Sequence, residues 1–218
     1  MTLVDDIRAA LRAAAQPERA AAQQAYMKSA IPFLGIRLPE VRRVTRTLGA
    51  GEQDAAVLRA ASLQLWDEAR HREERYAAMA LLALPPLSGT LPTVPLIEHM
   101  VRTGRWWDIT DELSGRVREL LIEHADEMAP VVRAWARDEN LWIRRIAILS
   151  QLTRRSEFDE QLFTDVVVPN LGDADFFIRK AIGWALRDRA RVDAAWVRWF
   201  VDERGVAGLS RREALKHV

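Results

Sequence analysis

The sequence predicts an all-α chain built from a repeat of stacked helical pairs. Three observations carry this. Apolar residues recur at three- and four-residue spacing almost everywhere, the signature of amphipathic helices. No segment alternates apolar and polar residues as a half-buried strand would. Segments about 35 residues apart look like one another, and a period in that range belongs to helical-repeat arrays.

The elements follow in chain order. "DDIRAALRAAA" opens with two acids, which suit a helix N-terminus. "AAVLRAASLQLW" and "HREERYAAMALL" carry helical apolar stripes, as do "LIEHMVRTG" and "WWDITDELSGRV". "APVVRAWARD", "LWIRRIAILSQL", "FFIRKAIGWALR" and "AAWVRWFVDE" complete the series. The breaks between helices are short: "FLGIRLPE", "LGAGEQ", "PPLSGTLP", "DEN", "LGDAD" and "RGVAG". They are rich in Gly, Pro, Asp and Asn, which punctuate helices. No linker separates two compositions, so a single domain over residues 1–218 is expected.

The repeat is clearest in the C-terminal two-thirds. Trp106, Leu141 and Phe176 are 35 residues apart and fall in one column. Trp107, Trp142 and Phe177 share the next, and Thr110, Arg145 and Lys180 another, with Arg75 one period upstream. The consensus of small and aromatic residues that marks tetratricopeptide repeats is not evident, so the array is best described as a HEAT-like solenoid. Units of that kind bury their faces only against neighbours and generate an extended concave surface.

Composition narrows the function classes. With 218 residues, 49% of them hydrophobic, the chain can bury a sizeable core. The longest apolar run, "YAAMALLALPPL", is too short to span a bilayer. Asp5 and Asp6 stand where a signal peptide would be basic. There is no cysteine, which excludes disulfide and thiolate chemistry. A cytoplasmic location is expected. His71, His99, His124 and His217 are too scattered to suggest a metal site, and no Gly-rich phosphate loop or nucleophile elbow occurs. Neither metal nor cofactor is expected.

The net charge is only +1, yet its distribution is uneven. Residues 142–155 hold Arg144, Arg145, Arg154 and Arg155 and no acid. Residues 176–191 hold Arg179, Lys180, Arg187, Arg189 and Arg191 against Asp188 alone. Basic helices in a row suit a polyanion, because each cation can neutralise a backbone phosphate. At 100° per residue, Trp107, Asp111, Arg145 and Trp184 fall within an arc of about 100°, with Arg187 at its edge. Register between repeats would direct them into one groove. Ordinary core packing and helix-dipole pairing are the competing explanation. An indole face attracts a cation or stacks on a base. A carboxylate beside it stabilises positive charge, such as the oxocarbenium character that develops when a glycosidic bond breaks. A cationic alkylpurine leaves as a neutral base, so no general acid is required.

At these residues the sequence resembles the AlkD-like DNA alkylation-repair glycosylases, a family of HEAT-like repeats. The matching stretches are "AYMKSAIPFLGIRLPEVRR", "WWDITD", "NLWIRRIAILSQL", "DFFIRKAIGWALRDRA" and "GLSRREALKH", from about residue 24 to the end. The resemblance implies a concave DNA-binding face and excision of 3-methyladenine and 7-methylguanine from duplex DNA without base flipping. It implies Asp111 as the catalytic carboxylate, with Trp107 and Trp184 against the DNA backbone around the lesion. Arg145 is implied to hold the strand, Lys180 and Arg187 to supply positive charge to phosphates, and Tyr26 to reach the DNA. The partner implied is duplex DNA carrying alkylated bases, bound by a monomer. A non-catalytic binder of damaged or branched DNA is the second reading, and a protein-binding scaffold the third.

Overall fold

The computed structural model describes residues 2–216; His217 and the end of the last matching stretch lie outside them. Among the described residues there are thirteen α-helices and no strand. They are α1 (Leu3–Ala13), α2 (Pro17–Met27), α3 (Leu38–Gly49), α4 (Ala55–Asp67) and α5 (Arg72–Leu81). Next come α6 (Val94–Gly104), α7 (Trp107–Glu123), α8 (Ala125–Trp135) and α9 (Leu141–Leu149). The last are α10 (Glu160–Val167), α11 (Phe176–Ala190), α12 (Ala194–Glu203) and α13 (Gly208–Ala214). The chain divides into two compact units, residues 1–96 and 97–218. Among the described residues no helix is long and apolar enough to cross a membrane.

In the first unit, α1 begins with a capping box in which Thr2 and Asp5 satisfy each other's backbone N–H. Ile7, Leu11, Ile36, Val41, Leu58, Leu65, Trp66 and Leu81 form its core. A fully buried carboxylate organises one loop: Glu73 accepts the backbone N–H groups of Leu34 (2.9 Å), Gly35 (2.9 Å) and Ile36 (3.1 Å). Three donors to one carboxylate compensate its burial. Gly35 has φ +88°, and a Cβ there would lie 1.9 Å from the Gln16 carbonyl oxygen, so only glycine fits.

The second unit is a two-layer stack. α7, α9, α11 and α13 lie side by side, while α8, α10 and α12 pack behind them. Asx caps start the successive helices: Asn140 accepts from Trp142 N, Asp159 from Leu162 N, Asp175 from Phe177 N, and Asp193 from Trp196 N. Ile109, Ile143 and Ile178 are each the third residue of their helix and each has no exposed surface. The step from α9 to α11 is therefore the expected 35 residues, but that from α7 to α9 is 34. Arg105 adopts a left-handed φ of +46°, and Trp106 is extended as the N-cap, so α7 starts one residue late. The expected columns shift accordingly, so that Asp108 rather than Trp107 shares the second helix position with Trp142 and Phe177. Trp106, the N-cap residue, packs on both rings, with centroids 6.0 Å from Trp142 and 5.6 Å from Phe177, which are themselves 4.9 Å apart.

α13 crosses α11 closely because Gly183 has no side chain. A Cβ on Gly183 would stand 2.4 Å from Glu213 Cβ and 2.9 Å from the Ser210 carbonyl oxygen. Gly183→Ala should therefore cost about 1–3 kcal/mol by overpacking, read as a lower urea midpoint. An unchanged midpoint would mean that α13 shifts without penalty.

Candidate active site

The second unit holds a largely buried ion pair between α7 and α9. Arg145 donates Nε to Asp111 Oδ1 and Nη2 to Asp111 Oδ2, both at 2.8 Å. Its Nη1 donates to the Phe177 carbonyl oxygen on α11. One guanidinium thus ties three neighbouring helices of one layer, α7, α9 and α11. The two side chains are 6% (Arg145) and 16% (Asp111) exposed. The planar fork matches the carboxylate bidentately, a geometry that lysine cannot reproduce.

Arg145 is thus buried, with Nε, Nη1 and Nη2 all donating inside the protein. The one-residue shift of α7 sets Asp111, rather than Thr110, opposite it.

Apolar rings wall the pair. The Arg145 guanidinium carbon lies 6.0 Å from the Phe177 ring centroid, and Phe177 packs on Trp106, Trp142 and Phe176. Burial accordingly pushes the Asp111 carboxyl above the usual aspartate range. The hydrogen bonds and charge of Arg145 act in the opposite direction but do not overcome it, and Asp108 adds a small upward push. Asp111 is a partly desolvated carboxylate with its orientation fixed from behind, suited to stabilising nearby positive charge.

Trp107 is the first residue of α7 and Trp184 lies in the middle of α11; both are half-buried. Lys180 and Arg187 stand one turn to either side of Trp184. Both are bound to Glu213 of α13, Lys180 Nζ at 3.0 Å and Arg187 Nη1 at 2.5 Å. Tyr26 lies on α2, in the other unit, and is 72% exposed. The structure thus brings Asp111 to Arg145, and Lys180 to Arg187 through Glu213. The sequence marks Glu213 only as an acid amid the bases of "GLSRREALKH". The basic runs are also less bare than their local composition implies. Arg144 pairs with Asp173 and Arg189 with Glu160. Among the described residues no group of three or more His, Asp or Glu side chains could hold a metal ion.

A family model described as DNA alkylation repair enzyme matches residues 7–218. The chain belongs to the DNA alkylation repair enzyme family. A solved structure of a predicted DNA alkylation repair enzyme from Enterococcus faecalis is similar to this family member at a TM-score of 0.83. The two share 27% identity over 94% of this chain and 96% of that one. The smu.31 protein of Streptococcus mutans UA159 has the same fold, with a TM-score of 0.66 and 19% identity over 83% of this chain and 92% of that one. No curated protein matches. Family membership makes this protein an enzyme of DNA alkylation repair and makes DNA its partner.

Proposed function

We propose that the protein is a monofunctional DNA glycosylase that releases 3-methyladenine and 7-methylguanine from duplex DNA. The observation that carries this reading is Asp111, a carboxylate held bidentately by a buried arginine at the wall of an aromatic cluster. An N-alkylated purine nucleoside already carries a positive charge. As the bond from C1′ to the base nitrogen stretches, its electron pair leaves with the base, which departs neutral. The positive charge moves to the deoxyribose, where an anionic Asp111 stabilises it. Water then adds to C1′ and loses a proton, leaving an abasic sugar. The faces of Trp107 and Trp184 attract the same cationic sugar and base. No pocket for an extruded base is required, since the lesion's own charge supplies much of the selectivity. Neutral lesions are poor substrates on this account.

The test is release of 7-methylguanine from methylated duplex DNA, followed by chromatography of the free base. Release by the protein at a rate well above that of enzyme-free DNA is expected. Tight DNA binding with no base release would replace this reading with that of a non-catalytic binder of damaged DNA.

A further inference from the structure

Lys180, Trp184 and Arg187 occupy positions i, i+4 and i+7 of α11 and share one face of the helix. Beside that face lies Glu213 of α13. Glu213 Oε1 is 3.0 Å from Lys180 Nζ, and Glu213 Oε2 is 2.5 Å from Arg187 Nη1. Arg187 Nη1 also donates to the Glu213 backbone carbonyl at 3.2 Å. The side chains are 38% (Lys180), 22% (Arg187) and 19% (Glu213) exposed, so both cations keep an outward side. Glu213 has little freedom to move. Its backbone is pressed onto α11 at Gly183, between the two cations in sequence. The carboxylate therefore spans the turns that flank Trp184.

We infer that Glu213 is a positioning residue for DNA: it holds Lys180 and Arg187 on either side of Trp184 and offsets one of their two positive charges. The inference rests on the proposed action on duplex DNA and on the expectation that Lys180 and Arg187 supply positive charge to its phosphates. Two cations and one anion leave a single net positive charge beside Trp184. Fixed in this way, the ammonium and guanidinium need not be ordered anew when a phosphate arrives, which reduces the entropic cost of the contact. The offset charge keeps undamaged duplex from being held too tightly. Each further phosphate neutralised adds about 0.9 to the slope of log affinity against log salt, and that slope makes non-specific binding grow steeply as salt falls. An enzyme that must leave undamaged sites quickly gains from a carboxylate here.

The test measures binding of the full chain to undamaged duplex DNA over a range of salt concentrations, using fluorescence anisotropy. Glu213→Gln should steepen the salt slope by about one and raise affinity about five- to tenfold at 0.1 M salt, as one added counterion released implies. Glu213→Asp, which keeps the charge, should leave the slope at its wild-type value. Lys180→Met should make the slope shallower by about one, and this arm stands even if Glu213→Gln does not fold. A folded Glu213→Gln variant with wild-type slope and affinity would overturn the inference and reduce Glu213 to a staple for α13. An unchanged slope in folded Lys180→Met would overturn it too. If the slopes shift as expected but wild type releases no base, the glycosylase reading fails and this inference stands.

Discussion

Asp111→Asn should lower 7-methylguanine release by two to three orders of magnitude, roughly the loss seen when a preorganised electrostatic partner of a transition state is removed. Asn has nearly the same shape and still accepts one N–H from Arg145. What it lacks is the negative charge that the proposed mechanism sets against the sugar. Binding to undamaged duplex should change little, because the proposed mechanism gives the anionic Asp111 no phosphate to contact. Circular dichroism and anisotropy separate a folded, DNA-competent, inactive variant from an unfolded one. Equal release by the variant and the wild type would remove Asp111 from the chemistry. The pH profile provides a second check. The active form is the carboxylate, so the rate is present above the Asp111 pKa and lost as pH falls through it. Burial raises that pKa, so the acid limb should inflect above the ordinary aspartate value of about 3.9. Once the enzyme-free rate is subtracted, a profile flat down to that value would contradict the desolvated setting described for Asp111.

The second large effect is on stability. Arg145→Ala should destabilise the protein by about 3–5 kcal/mol, because it leaves a buried carboxylate without its cation and the Phe177 carbonyl without its donor. For a chain of this size that corresponds to a fall in Tm of about 6–20 °C. Thermal unfolding by circular dichroism measures it. A loss below about 1 kcal/mol would be the figure for a solvated surface pair and would contradict the 6% and 16% exposures of Arg145 and Asp111. The pair also sets a sign for the pH dependence of stability. The native carboxyl of Asp111 binds its proton more readily than the unfolded one. Its own contribution to stability is therefore greatest at low pH. It declines as pH rises from the ordinary aspartate range through the raised native value.

Much of the fold was legible because its signals are local. Amphipathic spacing located the helices, and Asp and Asn in "LGDAD" and "DEN" became the caps of α11 and α9. Asp111, Trp107 and Trp184 were singled out by residue type and position on a helix face. Register was harder. Nothing in "RWWD" tells which tryptophan opens the helix. The answer lies in the left-handed Arg105 and the extended Trp106. That single step decides whether Arg145 faces a threonine or an aspartate. The charges were harder still, since a window along the chain counts only near neighbours. The acids that answer the basic runs lie about one repeat away. Arg145 finds Asp111 34 residues off, Arg144 finds Asp173 at 29, and Arg102 finds Asp138 at 36. A stacked array places such partners side by side, so apparent positive runs can be half of a ladder.

One guanidinium reaches a side chain on α7 and a main-chain oxygen on α11 from its seat on α9. No other amino acid has both the span and the donors to serve those two clients together. Position 145 thus has an alphabet of one letter, and its meaning is shared: drift at 111 or a slip in the path of 177 would strand it. Any change at 145 would therefore be felt on both neighbouring helices at once.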